Sequence, residues 1–145
     1  MRLAVAAVLA ALVAAPAASA SKFDWDALGA EFCRLTLAGD MEGLWPLLTA
    51  DLRRAIEAAA ANPEMLPARV LFQTYTNEVP VCTARTRNVA LVEIERRGRG
   101  AAPAWTEYLV IVPEADGTSR IDDVLFATRK SDTLRARLAY FAASR

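Results

Sequence analysis

The chain contains no histidine. That removes Ser-His-Asp and Cys-His nucleophilic catalysis and every metal site that depends on imidazole. Cysteine is scarce: Cys33 and Cys82 are two in number, too few for a four-thiolate zinc site. Lysine is nearly absent, with only Lys22 and Lys130 beside the arginines, and the 17 basic residues are balanced by 17 acidic ones. Such a chain has no field to steer it to nucleic acid or to an anionic membrane. No phosphate loop or dinucleotide fingerprint is present, since Gly98-Arg99-Gly100 is a turn and not a cradle. The arginines 96, 97 and 99 read as a solvated hairpin tip and not as a nucleic-acid patch. These absences point to a protein without cofactor, metal or nucleic-acid partner.

Long hydrophobic runs are also missing, with one exception at the N-terminus. Arg2 precedes an unbroken stretch of 13 Ala, Val and Leu residues, Leu3 to Ala15. Pro16 follows, and then the small-residue pattern Ala18-Ser19-Ala20. A spanning helix needs about 20 apolar residues. The stretch therefore reads as a signal peptide over residues 1–20, cleaved before Ser21, and not as an anchor or a core helix. The expected location is periplasmic or secreted, with no stable membrane anchor after cleavage. What remains, residues 21–145, has the length of a single domain with one core.

In an oxidising compartment two cysteines allow one intramolecular disulfide, Cys33 to Cys82. Closing that loop contributes on the order of 4 kcal/mol in the chain-entropy picture. Two separate buried thiols, or a reactive or intermolecular thiol, are the alternatives, the reactive one being weakened by the lack of a histidine partner.

Helical periodicity dominates the first part of the exported chain. Asp24 is the expected N-cap of a helix whose apolar face is Trp25, Leu28, Phe32 and Leu35, ending at Gly39. Cys33 lies on the edge of that face, about 80° from Trp25. Asp40 opens a short turn carrying Met41, Leu44 and Trp45, which Pro46 disrupts. Thr49 caps a third helix with Leu48, Leu52, Ile56 and Ala59 buried, and Asn62-Pro63 stops it.

The period then changes to two. Strands are expected over 70–75, around 79–83 as an edge or bulged strand, and over 88–97 with Ala90, Val92 and Ile94 on one face. A strand over 105–112 has apolar residues on both faces and should be central. Asp116-Gly117 marks a hairpin, and the last strand runs from Arg120 to Thr128. Ser131 is the expected cap of a final helix with Leu134, Leu138 and Phe141 in a stripe. Helices first, then consecutive antiparallel strands, then one helix describe an α+β domain: N-terminal helices packed on a curved antiparallel sheet, with a short C-terminal helix.

This order, the Ala38-Gly39-Asp40 break and the segment Arg120-Ile121-Asp122-Asp123-Val124 resemble the nuclear transport factor two-like superfamily, to which ketosteroid isomerase belongs. The resemblance covers about residues 23–128, and the helix over 131–142 departs from it. It implies a conical half-barrel with a pocket between sheet and helices, used by different members for catalysis, for binding or not at all.

In such a pocket the candidates are Trp45, Tyr75, Trp105, Tyr108, Asp122 and Asp123, with Glu107 as a further strand carboxylate. Adjacent strand residues point to opposite faces. Asp123 therefore points inward if Ile121 and Leu125 do, and Asp122 if Val124 and Phe126 do; otherwise both are surface groups or pair with Arg120 or Arg129. No catalytic residue is assigned. The expected function is a non-catalytic module binding a small apolar ligand or an envelope protein. A pocket enzyme moving a proton with a strand Asp and a Tyr is the alternative, and a homodimer through the open sheet face is a third option.

Overall fold

A computed structural model describes residues 24–65, 71–72, 81–100 and 104–144. The proposed signal peptide, Tyr75 and Pro80 lie outside these residues. Helix α1 runs Asp26–Ala38, α2 Met41–Leu44, a 3-10 turn Trp45–Leu47 and α3 Ala50–Ala60. Strands β1 (Val81–Thr86), β2 (Leu91–Arg97), β3 (Trp105–Pro113) and β4 (Ser119–Phe126) follow, and α4 spans Leu134–Ala143. The strands form an open antiparallel meander in the order β1-β2-β3-β4. The fold class is α+β, as expected.

Each helix is started by a nearby side chain. Asp40 accepts the Gly43 amide at the head of α2, and Thr49 accepts the Leu52 amide at the head of α3. At α1 the cap position belongs to Trp25, not Asp24; the Asp24 carboxylate accepts the Asp26 amide one step earlier. The C-terminal helix is capped by Thr133, whose hydroxyl accepts from Ala136, and not by Ser131. Gly39 ends α1 at φ 68°, a left-handed conformation that a side chain resists.

One apolar cluster lies between the helices and the sheet. Phe32, Leu35, Leu44, Leu48, Leu52, Ile56 and Ala59 come from the helical side, and Val92, Ile94, Leu109, Ile111, Ile121, Val124 and Phe126 from the strands. The stripes expected on α1, α3 and α4 all face this cluster, with Trp25, Leu28 and Phe141 half-buried at its margin. Helix α1 lies so close to the sheet that a Cβ on Gly29 would sit 2.5 Å from the Ala84 Cβ and 2.8 Å from Val92 Cγ1. Cys33 and Cys82 form a disulfide that ties α1 to β1 across 49 residues of chain.

Three expectations are corrected. Leu71 is helical and Phe72 sits in a turn, both buried, where a strand was expected over 70–75; the rest of that stretch lies outside the described residues. A short apolar run is compatible with either element, and here tertiary packing decides. Arg96 is not in a turn: β2 continues through Arg97, and Arg96 is completely buried. On β4 the register slips, so that Asp123 opposes Val110 while Ile121 opposes Ile111. Asp122 is the extra residue of a bulge. Ile121, Val124 and Phe126 therefore all face the core, which neither simple alternation allowed.

Among the described residues no helix is long and apolar enough to cross a membrane.

Candidate functional site

The fully buried residues of the sheet's inner face are apolar except at one corner. Arg96 on β2 stands directly opposite Trp105 on β3, and Glu107 lies two residues further along β3 on the same face. Arg96 and Glu107 are both wholly buried. Arg96 Nε donates to Glu107 Oε1 at 2.8 Å, and Arg96 Nη2 donates to Thr36 Oγ1 at 3.3 Å. The Thr36 hydroxyl in turn donates to the Phe32 carbonyl at 2.8 Å, so the pair is hung from the last turns of α1. The Arg96 guanidinium lies 5.8 Å from the Phe32 ring centre, and Phe72 meets Phe32 edge-on at 6.1 Å.

A second arginine approaches from α4. Arg137 stacks over the Phe126 ring at 3.7 Å and grips Asp132 through two bonds of 2.8 and 2.9 Å. Phe126 is the β4 partner of Glu107, so Arg137 lies within electrostatic reach of that carboxyl. Burial pushes the Glu107 carboxyl above its ordinary range, and the charges of Arg96 and Arg137 pull the other way. For Asp132 the Arg137 hydrogen bond outweighs burial and holds the carboxyl low.

Three polar atoms in this corner have no hydrogen-bond partner among the described residues: Arg96 Nη1, Trp105 Nε1 and Glu107 Oε2, all buried. Leaving a buried polar group unpaired costs about 1–3 kcal/mol each. Two donors and one acceptor are therefore unsatisfied on adjoining residues of β2 and β3, at the end of an otherwise apolar core. The arrangement contains no cluster of metal ligands, and none occurs among the described residues.

The residues expected to share a pocket are dispersed. Trp105 joins the buried corner. Trp45 sits in the 3-10 turn and packs half-buried on the core. Tyr108 is on the opposite face of the sheet, where its hydroxyl donates to Glu93 at 3.4 Å. Arg87 reaches the same Glu93 carboxylate at 2.7 Å and Arg85 at 3.2 Å. Tyr75 lies outside the described residues. Asp122 accepts from Thr49 Oγ1 at 2.8 Å and from Arg135 Nη2 at 2.5 Å. Asp123 accepts the Val124 and Arg135 amides at 2.8 and 2.9 Å. The two aspartates thus fasten α4 and α3 to β4, and the arginine that pairs with Asp122 is Arg135, not Arg120 or Arg129.

Arg96 is the residue that sequence reading missed. Its signal was present: it continues the alternation Val92, Ile94, Arg96, and it has a complement in Glu107, which lies in the inward row Trp105, Glu107, Leu109. Opposite charges on the inner faces of adjacent strands mark a buried pair.

No protein-family model, no curated protein and no solved structure significantly matches this chain.

Proposed function

We propose that this is an exported binding module that holds a small, largely apolar molecule by a polar head group at the Arg96–Trp105–Glu107 corner. Export is read from the signal peptide over residues 1–20, which places the mature chain in the periplasm or outside the cell. The disulfide between Cys33 and Cys82 fits that compartment. In this reading the α+β scaffold is a conical half-barrel of the nuclear transport factor two-like type, and binding is non-catalytic.

One observation carries the reading: the three buried, unpartnered atoms Arg96 Nη1, Trp105 Nε1 and Glu107 Oε2. A ligand that supplies their partners removes a penalty of about 1–3 kcal/mol per atom. Native mass spectrometry of the protein purified from its own periplasm tests this. The expected spectrum has an adduct that is lost on denaturation; a bare chain mass beginning at Ser21, in repeated gentle preparations, would overturn the reading.

A second reading rests on Glu107 alone. A buried carboxyl raised above its usual range and with one oxygen unbonded has the environment of a proton-transfer group. It replaces Asp122 and Asp123 as the candidate for a pocket enzyme, because both are only half-buried and Oδ1 of each is held by Thr49 or Arg135. Exchange of an acidic C–H proton of a bound ligand, lost in Glu107→Gln, is its measurement.

A further inference from the structure

The segment 127–133 joins β4 to α4 and is folded back on itself. The Phe126 amide donates to the Asp132 carbonyl at 2.9 Å, and the Asp132 amide donates to the Arg129 carbonyl at 3.0 Å. Between this segment and α4 lies an open cleft of about 330 Å³, with Arg129, Asp132 and Arg137 on its polar side and Ala136, Tyr140 and Phe141 on its apolar side. That volume is at the small end of the range of about 300–1,000 Å³ for small-molecule sites. Asp132 is committed to Arg137: Arg137 Nε donates to its Oδ1 at 2.8 Å and Nη2 to its Oδ2 at 2.9 Å, and the Thr128 hydroxyl donates to Oδ2 as well. Arg137 Nη1 donates to the Leu71 carbonyl at 3.5 Å. The Arg129 guanidinium has no hydrogen bond or ion pair among the described residues. Two guanidiniums against one carboxylate leave the cleft with a positive charge.

On the apolar side Phe141 is packed half-buried on the core cluster, and Tyr140 meets it edge-on at 5.4 Å. Tyr140 is 68% exposed, more than any other large apolar side chain among the described residues. Ala136, one helical turn before Tyr140, contributes only a methyl group to the cleft wall. We infer that this cleft binds a small monocyclic aromatic carboxylate, its carboxylate on Arg129 and its ring against Tyr140 and Phe141. A cation would be repelled by the net charge. An uncharged ring would gain nothing from Arg129, and an anion without a ring would gain nothing from Tyr140. An aromatic carboxylate gains both a charge-assisted bond to a guanidinium and ring contacts. Arg137 is already fixed by Asp132 and by its stack on Phe126, and Phe141 by the core, so binding has only Arg129 and Tyr140 to order. The site is separate from the Arg96–Trp105–Glu107 corner and does not rest on the reading given to it, since none of those three residues lines the cleft.

The test titrates benzoate, cyclohexanecarboxylate, benzamide and acetate into the isotope-labelled, disulfide-bonded protein. NMR follows the backbone amides of Asp132, Arg137 and Phe141, with the Trp105 indole N–H as the control at the corner. Benzoate is expected to shift the three amides saturably, with Kd on the order of 1 mM or below, and to leave Trp105 in place. Benzamide and acetate are expected to bind at least about tenfold more weakly, and cyclohexanecarboxylate about threefold. Arg129→Ala is expected to weaken benzoate about tenfold and Tyr140→Ala about fivefold, and Ala136→Phe to block it by filling the cleft. All three variants replace exposed side chains, so the circular dichroism spectrum and Tm should stay those of the parent protein. Acetate binding as tightly as benzoate would mark an adventitious ion only and overturn the inference. Benzamide binding as tightly overturns the carboxylate, and cyclohexanecarboxylate binding as tightly overturns the aromatic ring. Benzoate that moves Trp105 and not the cleft amides overturns the placement here and supports the corner. No saturable shift with any probe up to about 10 mM overturns the cleft as a ligand site and leaves the reading of the corner untouched. The same amides moving with protein concentration alone would give this face to a second copy of the chain and overturn the small-molecule assignment.

Discussion

Asp122 and Asp123 on β4 and Glu107 on β3 are carboxylates on neighbouring strands, and they serve opposite ends. At the β4 bulge no enclosed atom of the two half-buried aspartates lacks a partner among the described residues: Thr49 and Arg135 meet Asp122 Oδ1, and two backbone amides meet Asp123 Oδ1. At the inner corner Glu107 and Arg96 are fully buried, and Glu107 Oε2, Arg96 Nη1 and the enclosed Trp105 Nε1 have no partner among the described residues. A saturated cluster specifies how elements join. An unsaturated, buried one is costly to the fold, and such costs gather where a protein recognises something. The two regions differ in burial and, more tellingly, in whether their enclosed polar atoms find partners.

The comparison is broken most severely by removing Arg96. Arg96→Met leaves Glu107 buried without its cation, and the expected loss in urea unfolding is about 3–5 kcal/mol. Arg96→Met combined with Glu107→Leu is expected to regain most of that stability while abolishing ligand binding, because an apolar pair fills the same space. A double variant as unstable as the single would show that the pair is a structural element and not an adaptation for binding. Replacing Cys33 and Cys82 together by Ala ranks next, at about 2–4 kcal/mol. Thiol titration of the unreduced, denatured protein is expected to find no free thiol.

How far the sequence anticipated these two regions follows from which forces are local. Thr49 was readable as a cap because the capping bond spans three residues. Leu48, Leu52, Ile56 and Ala59 were readable as a buried face because helical spacing is local too. The central place of β3 followed from apolar residues on both its faces. The disulfide followed from having two cysteines and one of them beside the α1 stripe. The bulge at Asp122 did not, since it is set by β3 and by the Leu48–Ile121 bridge, which join distant parts of the chain. Arg96 was hidden by its neighbours: Arg97, Gly98, Arg99 and Gly100 look like a turn, and the strand enters that run one side chain further than composition suggests. Trp105 was the one pocket candidate that reached the corner, and its partner Arg96 was assigned to solvent.

At the saturated cluster a single deletion has a smaller effect. Thr49→Ala removes the cap of α3 and the Asp122 bond together, and about 1–2 kcal/mol is expected. Thr49→Ser keeps both oxygen contacts and is expected to restore most of the loss. Ligand binding at the corner should not change in either variant. A tenfold loss of binding in Thr49→Ala at retained fold would join the two regions into one site and remove the contrast drawn between them.

The finest separation is a matter of pH, and it compares Glu107 with the Asp132 carboxylate on the far side of Arg137. Glu107 is raised above its ordinary value of 4.5 by burial, so the folded state holds its proton more tightly than the unfolded one. Its contribution is fully present below that ordinary value and is lost as pH rises through the folded one. Asp132 is lowered below 3.8 by its Arg137 hydrogen bond, so its contribution is present above 3.8 and is lost as pH falls through the folded value. Glu107→Gln should therefore flatten the decline of stability on the alkaline side of about pH 4.5, and Asp132→Asn the decline on the acid side of about pH 3.8. Urea midpoints across both windows read the two slopes independently. If Glu107→Gln instead removed an acid-side slope, Arg96 would outweigh burial at Glu107. The corner would then hold a charged pair, and its contrast with the Asp122 cluster would rest on the unpaired atoms alone.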